Sequence, residues 1–236
     1  MKISTNKSNW QTKKLNSRGR DRYQSWLSFY KTEFESLADF RGFVLLCLDI
    51  KTRGNKAGLI LNQGQRMIKL ADNSRKLIKN RASFQVFFLI VCAESIIRII
   101  KNQPCEKGVS QKNVIEFFEN YFQEEDKKKF KNFFRISSAN EDLGILEPQS
   151  DFKDIIKYFY KIRCKVAHQG AYWNFYWAEQ DADMMNFIED EDNCEKITNN
   201  IIEVKSGVDY EKIRPFFVRA IINAVKSIVW FGKQKN

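Results

Sequence analysis

Histidine is almost absent from this chain: His168 is the only one in 236 residues. A metal centre built from several imidazoles of one chain is therefore excluded, and any chemistry that needs an imidazole must use this one. Glycine and proline are also scarce, at ten and three residues, well below the usual usage of about 7% and 5%. Turn-rich all-β architectures depend on both, so their scarcity predicts long helices. The five cysteines, Cys47, Cys92, Cys105, Cys164 and Cys194, are odd in number, scattered, and include no C-x-x-C pair. That excludes a zinc ribbon and a thioredoxin-like motif. Long apolar runs are missing as well. The greasiest stretch, Phe84 to Ile100, contains Gln85, Glu94 and Arg98, and reads as a buried helix, not a membrane span. The first 22 residues are polar and basic, without the apolar core of a secretory signal. The expected compartment is a reducing cytoplasm, with no membrane partner.

What the chain has in quantity is positive charge, unevenly placed. Forty Lys and Arg stand against twenty-nine Asp and Glu, a formal net charge of +11. Residues 1–22 hold seven basic groups, among them Lys13, Lys14, Arg18 and Arg20, against Asp21 alone. Residues 51–101 hold eleven against Asp72 and Glu94, whereas residues 179–195 hold eight acids and no Lys or Arg. Two basic blocks in one chain point to a polyanion: RNA, DNA or a nucleotide. The acidic stretch reads as a solvated loop; a sharper reading is that it mimics RNA and covers a basic cleft.

Periodicity divides the chain into three regions. Residues 1–22 are expected to form a disordered basic tail. Residues 23–79 form a helical extension, with one apolar stripe from Tyr23 to Ile50 and a second helix from Leu59 to Lys79. Residues 80–236 form the main domain. There Ser83 is expected to cap a central helix, Phe84 to Lys101. Helices follow at Ser110–Phe122 and Glu124–Arg135, then a polar connector, Ser138–Gln149. Ser150 and Asp151 are expected to cap a helix with apolar positions at Phe152, Ile155, Ile156, Phe159, Ile162 and Val166, which Gly170 would stop. The aromatic run Ala171–Trp177 and the segment Ile197–Lys205 read as the two strands of a small β-hairpin. Asp209–Trp230 closes the chain as a long helix that tolerates Pro215 near its first turn. The expected fold is mostly α, a helical bundle with a small β-hairpin insertion.

One helix carries the string Tyr160-Lys161-Ile162-Arg163-Cys164-Lys165-Val166-Ala167-His168-Gln169-Gly170. An Arg followed after four residues by His, at the end of a bundle helix, resembles the HEPN superfamily, whose members carry Arg, four to six residues, then His. The preceding apolar helix with an internal acid, Glu94, and the long last helix extend the resemblance over roughly residues 80 to 231. Cys164 stands where many active members have Asn, Asp or His. Gly170 stands where toxins paired with a minimal nucleotidyltransferase have Tyr.

The resemblance implies a metal-independent endoribonuclease acting on single-stranded RNA, without a cofactor. The ribose 2′-hydroxyl would attack the adjacent phosphate, leaving a 2′,3′-cyclic phosphate and a 5′-hydroxyl. His168 would transfer protons, since imidazole titrates near neutral pH. Arg163 would hold the phosphate and its developing charge. The superfamily pairs two copies of this helix across a two-fold axis, so a homodimer would supply two Arg and two His to one site. A defence or toxin role, with an antitoxin or defence-system partner, is also implied. Glu94, Cys164 and Gln169 would support the site, with Glu94 orienting Arg163 or His168. Lys13, Lys14, Arg18, Arg20, Lys165 and Tyr172 are the candidate RNA contacts.

Structurally, Arg163 would otherwise pair with Glu94 or Asp154 on a bundle surface, His168 would end a helix, and Tyr172 would pack. Two other functional classes compete with the nuclease. One is a catalytically silent HEPN-like module that binds RNA, nucleotide or protein; the other is an oligomerisation bundle.

Overall fold

The computed structural model describes residues 17–48, 56–77, 82–104, 108–140, 144–145, 151–172, 175–177, 184–189, 201–206 and 208–231. Helices dominate: α1 Ser17–Tyr30, α2 Leu37–Leu48, α3 Lys56–Leu77, α4 Ala82–Lys101, α5 Ser110–Tyr121, α6 Glu124–Phe133, α7 Phe152–Gln169 and α8 Tyr210–Phe231. The mostly α helical bundle expected from the sequence is what the chain forms.

The expected basic tail ends earlier than residue 22, because α1 starts at Ser17; residues 1–16 lie outside the described residues. The single stripe from Tyr23 to Ile50 is two helices, separated by a 3₁₀ turn at Lys31–Glu33. The break has a local cause. The Ser36 hydroxyl accepts the Asp39 backbone N–H at 3.1 Å and donates to the Asp39 carboxylate at 2.6 Å, so a new N-terminus begins there. Both halves still bury their aromatics: Trp26, Tyr30, Phe40 and Phe43 are fully or almost fully covered.

α4 is the central element, packed against α3, α5, α7 and α8. It is the one helix among the described residues long and apolar enough to cross a membrane; here it is the core helix, with Glu94 buried inside it. Ser83, expected as its cap, instead lies within its first turn, fully buried, with its hydroxyl unpartnered. α3 meets α8 closely at Gly64, where an added Cβ would lie 2.7 Å from Ile221 Cδ1, so only a glycine lets the helices approach this far. One hydrophobic core runs from Trp26 to Val229 and joins the 23–79 extension to the rest. A phenylalanine cluster from α5, α6, α7 and α8, including Phe118, Phe130, Phe159 and Phe217, fills its far end.

Partly buried ion pairs fix the last helix. Arg214 grips Asp72 of α3 through two nitrogens at 2.9 and 3.1 Å, and the Tyr210 hydroxyl donates to the same carboxylate at 2.7 Å. Arg219 holds Asp126 of α6 at 2.7 and 2.8 Å. Asp209 caps α8 by accepting the Lys212 N–H at 2.9 Å, and the helix continues through Pro215.

The β content differs from expectation. Among the described residues, four short strands, β1 Phe134–Asn140, β2 Gly144–Ile145, β3 Met184–Glu189 and β4 Ile201–Ser206, form one antiparallel sheet in the order β2-β1-β4-β3. Ile136 lies opposite Val204, and Asn186 opposite the same residue on the other side. The predicted hairpin of 171–177 with 197–205 does not form, because 175–177 are irregular. Phe175 and Trp177 alternate as a strand would, but they face helices: both are buried, and the Trp177 indole N–H donates to Gln85 Oε1 of α4 at 2.7 Å. Phe134 and Arg135, expected at a helix end, begin β1 instead. Apart from 184–189, the acidic stretch 179–195 lies outside the described residues.

Candidate active site

α7 presents the Arg163 and His168 pair, and its local sequence explains how. Its apolar positions Ile155, Ile156, Phe159, Ile162 and Val166 are all buried, which fixes the rotation of the helix against α4. It ends where expected. Gly170 adopts φ +64°, and the Ala171 N–H returns to the Lys165 carbonyl at 3.2 Å, six residues back, as in a Schellman-type end. The expected capping of its start does not form at Asp151, which occupies the N-cap position without a side-chain bond; Ser150 lies outside the described residues.

Arg163 lies at the edge of the buried face. Its side chain is 19% exposed, and Nη2 donates to Glu94 Oε2 at 3.2 Å. The choice between Glu94 and Asp154 is therefore settled by burial, since Asp154 pairs with Lys157 at 2.9 Å on the surface. The guanidinium also stands 5.7 Å from the centre of the Tyr160 ring and directs Nη1 towards Cys164 Sγ at 4.0 Å. Burial, reinforced by Cys164, holds the Tyr160 hydroxyl above its ordinary pKa, so it remains a neutral neighbour of the arginine. Arg163 Nε is covered and has no hydrogen-bond partner, a position that costs free energy unless an acceptor arrives.

Glu94 does more than orient Arg163. Its other oxygen receives Arg98 Nη2 at 2.7 Å and the Ser110 hydroxyl at 2.8 Å, and Arg98 Nη2 reaches the Ser110 oxygen at 3.1 Å. Two guanidiniums thus share one carboxylate that is 8% exposed, which leaves the cluster positively charged. Arg98 and Ser110 were not singled out from the sequence. The readable signal was the Glu94-x-x-x-Arg98 spacing, which places acid and base one turn apart.

His168 is exposed, together with Ala167, Gln169 and Gly170. Five residues along a helix separate it from Arg163 by roughly 140° and about 7.5 Å of rise. Within one chain the two side chains therefore do not converge, and Glu94 serves Arg163, not His168. Cys164 lies on the His168 side of the helix and is a free thiol, as are the buried Cys47 and Cys92.

The remaining candidates are dispersed. Tyr172 stacks on Phe84 of α4 with ring centres 5.4 Å apart, so its ring is engaged within the fold. Arg20 is exposed on α1, and Arg18 falls within the same helix. Lys13 and Lys14 lie outside the described residues. Among the described residues no group of three His, Cys, Asp or Glu side chains is placed to hold a metal ion. No family model, curated protein or solved structure matches this chain.

Proposed function

We propose that this chain is a metal-independent endoribonuclease of HEPN type, cutting single-stranded RNA at a site completed by a second copy of α7. The observation that carries the reading is the division of labour on that helix. Arg163 is clamped by the buried Glu94, while His168 stands exposed on the last turn, five residues on. A fixed guanidinium suits a developing phosphate charge, because it needs no reorganisation during reaction. An exposed imidazole suits proton transfer to and from ribose oxygens. Since the two diverge in one chain, a two-fold partner would bring the His168 of one copy towards the Arg163 of the other. The positive excess around Glu94 favours an anionic substrate. A role in defence or as a toxin, with an antitoxin or defence-system partner, belongs to the same proposal.

The Glu94 pairing also favours a second reading. A guanidinium already neutralised by a buried acid is a structural anchor, and a module built this way would bind RNA, nucleotide or protein without cutting.

Incubating the purified chain with total RNA in EDTA separates the two. The nuclease predicts cleavage in EDTA, with 2′,3′-cyclic phosphate and 5′-hydroxyl ends. It also predicts that His168→Ala and Arg163→Ala each lower the rate about 10²–10⁴-fold. Binding without any cleavage by the wild-type chain would replace it with the silent module.

A further inference from the structure

We infer that the outer surface where α1 crosses α3 is a docking face for the sugar-phosphate backbone of an RNA strand, built from Arg20, Arg22, Arg66, Lys69 and Lys76. The face lies outside the proposed cleavage site. It rests on that reading for the choice of RNA among polyanions, but not for its existence.

The two basic blocks are far apart in the sequence, and the fold brings them together. Helices α1 and α3 carry eight Lys and Arg against Asp21 and Asp72, a net +6. More than half of the chain's +11 thus sits on two helices of 14 and 22 residues. Neutral side chains hold the crossing. The Ser25 hydroxyl donates to Gln65 Oε1 at 3.1 Å, and the Ser25 carbonyl accepts Gln65 Nε2 at 2.8 Å. The Trp26 indole N–H donates to Asn62 Oδ1 at 3.0 Å. Arg22 stands three residues before Ser25 on α1, while Arg66 and Lys69 stand one and four residues after Gln65 on α3. Cations of both blocks therefore flank one junction.

Helix geometry gives their direction. With Lys69 as origin, Arg66 lies at about 60° and Lys76 at about −20° around α3. Ile60, Gly64, Met67 and Ala71, all buried, lie at about 160° to 220° on the same scale. Arg20, Arg66, Lys69 and Lys76 are exposed, and Arg22 is partly so. The acid of α3 is already engaged, since Asp72 is held by Arg214 and Tyr210. Arg66 donates to the neutral Gln63 amide oxygen. The positive excess of the face is therefore not cancelled by α1 or α3.

A concentration of one sign on two packed helices is complementary to a polyanion. The aromatics of α1 are turned inward: Trp26, Phe29 and Tyr30 are buried, and Tyr23 packs on Phe40 with ring centres 5.6 Å apart. α3 has no aromatic residue. Without a stacking ring, the face meets phosphates and holds a strand without reading its bases. Leu59 and Leu70 are exposed on α3 but stand about 16 Å apart along it, so they form no continuous apolar stripe for a membrane. Both α3 and α7 pack on α4, which puts the face up to about 20 Å from the helix of Arg163 and His168. A strand seated there extends well beyond the step that is cut.

The test uses the full-length chain and a fluorescein-labelled 2′-O-methyl single-stranded RNA, which lacks the attacking hydroxyl and stays intact. Anisotropy titrations across a salt series give the slope of log affinity against log salt. Replacing Arg20, Arg66, Lys69 and Lys76 by Gln is expected to lower the magnitude of that slope by about 3, at roughly 0.7 per contact on a single strand. A control with the same charge loss elsewhere, Lys112, Lys128, Lys131 and Lys212 to Gln, is expected to keep it within one contact of wild type. In the wild-type chain, saturating RNA should protect Lys69 and Lys76 from an amine-acylating reagent, and leave Lys112 and Lys212 open to it.

An unchanged slope in the face variant, or an equal drop in the control, overturns the face while leaving any cleavage of natural RNA standing. Equal acylation of Lys69 and Lys76 with and without RNA overturns it too, whether or not the variant folds. Face-dependent binding with no cleavage of natural RNA sinks the nuclease and keeps the face. Stronger attachment to phosphatidylserine vesicles than to the RNA would assign the surface to a membrane, and overturn the proposal.

Discussion

At the scale of single residues, Glu94 carries the most weight. It sits inside the apolar core helix α4, and a lone buried carboxylate would be costly there. Arg98, Ser110 and Arg163 offset that cost. Glu94→Gln removes the charge but keeps the shape, leaving two guanidiniums without their acid. We expect it to lower stability by about 2–3 kcal/mol in urea unfolding. Asp154→Asn, which breaks a half-exposed pair on the same site's margin, should change it by no more than about 0.5 kcal/mol. Equal effects of the two would mean that Glu94 is not the anchor of Arg163. The acid itself was legible in the sequence, because an uncompensated Glu amid apolar residues demands a partner. Arg163, 69 residues away, was among the partners the sequence offered, but that Arg98 and Ser110 share the same carboxylate was not legible.

At the scale of elements, periodicity located the helices well wherever burial had one side, as in α7, whose stripe and glycine stop agree with the fold. It failed where a local bond outweighed the pattern. The stripe through Tyr23 to Ile50 continues across Ser36, yet the Ser36 and Asp39 exchange starts a new helix there; the S-x-x-D spacing was the signal. The run 171–177 failed for the opposite reason. Aromatic alternation reports two-sided surroundings, and here a helix surface supplies the covered side in place of a second strand.

The last helix supplies a prediction in pH. Lys226 of α8 is 9% exposed, and its ammonium stands 5.2 Å from the centre of the Trp230 ring; burial pulls its pKa down to about 8. With the folded value below the unfolded one, the unfolded chain holds the proton more tightly across that window. The penalty is thus fully present below about pH 8 and disappears as pH rises towards the ordinary lysine range. Lys226→Met should therefore be more stable than wild type at pH 7 by about 1–2 kcal/mol. The difference should shrink steadily between pH 8 and 10 in parallel urea titrations. A constant gap across that range would show that the lysine stem, not its charge, sets the effect.

At the scale of the whole molecule, the scarcity of histidine becomes a statement about assembly. One chain offers one imidazole, and it diverges from the only arginine that the motif pairs with it. The proposed composite site would make both facts consistent, since two copies would restore the pair across a two-fold axis. The continuous core from Trp26 to Val229 means that the N-terminal helices share in holding α4, and through Glu94 in holding Arg163. The most direct measurement is complementation between inactive chains. Arg163→Ala and His168→Ala protein, each unable to cut RNA alone, are unfolded together, refolded as a one-to-one mixture and assayed in EDTA. A composite site predicts that activity returns to about a quarter of wild type, since half of the dimers are mixed and each mixed dimer holds one complete pair. A mixture no more active than either parent, or a wild-type chain that leaves RNA uncut, would contradict it.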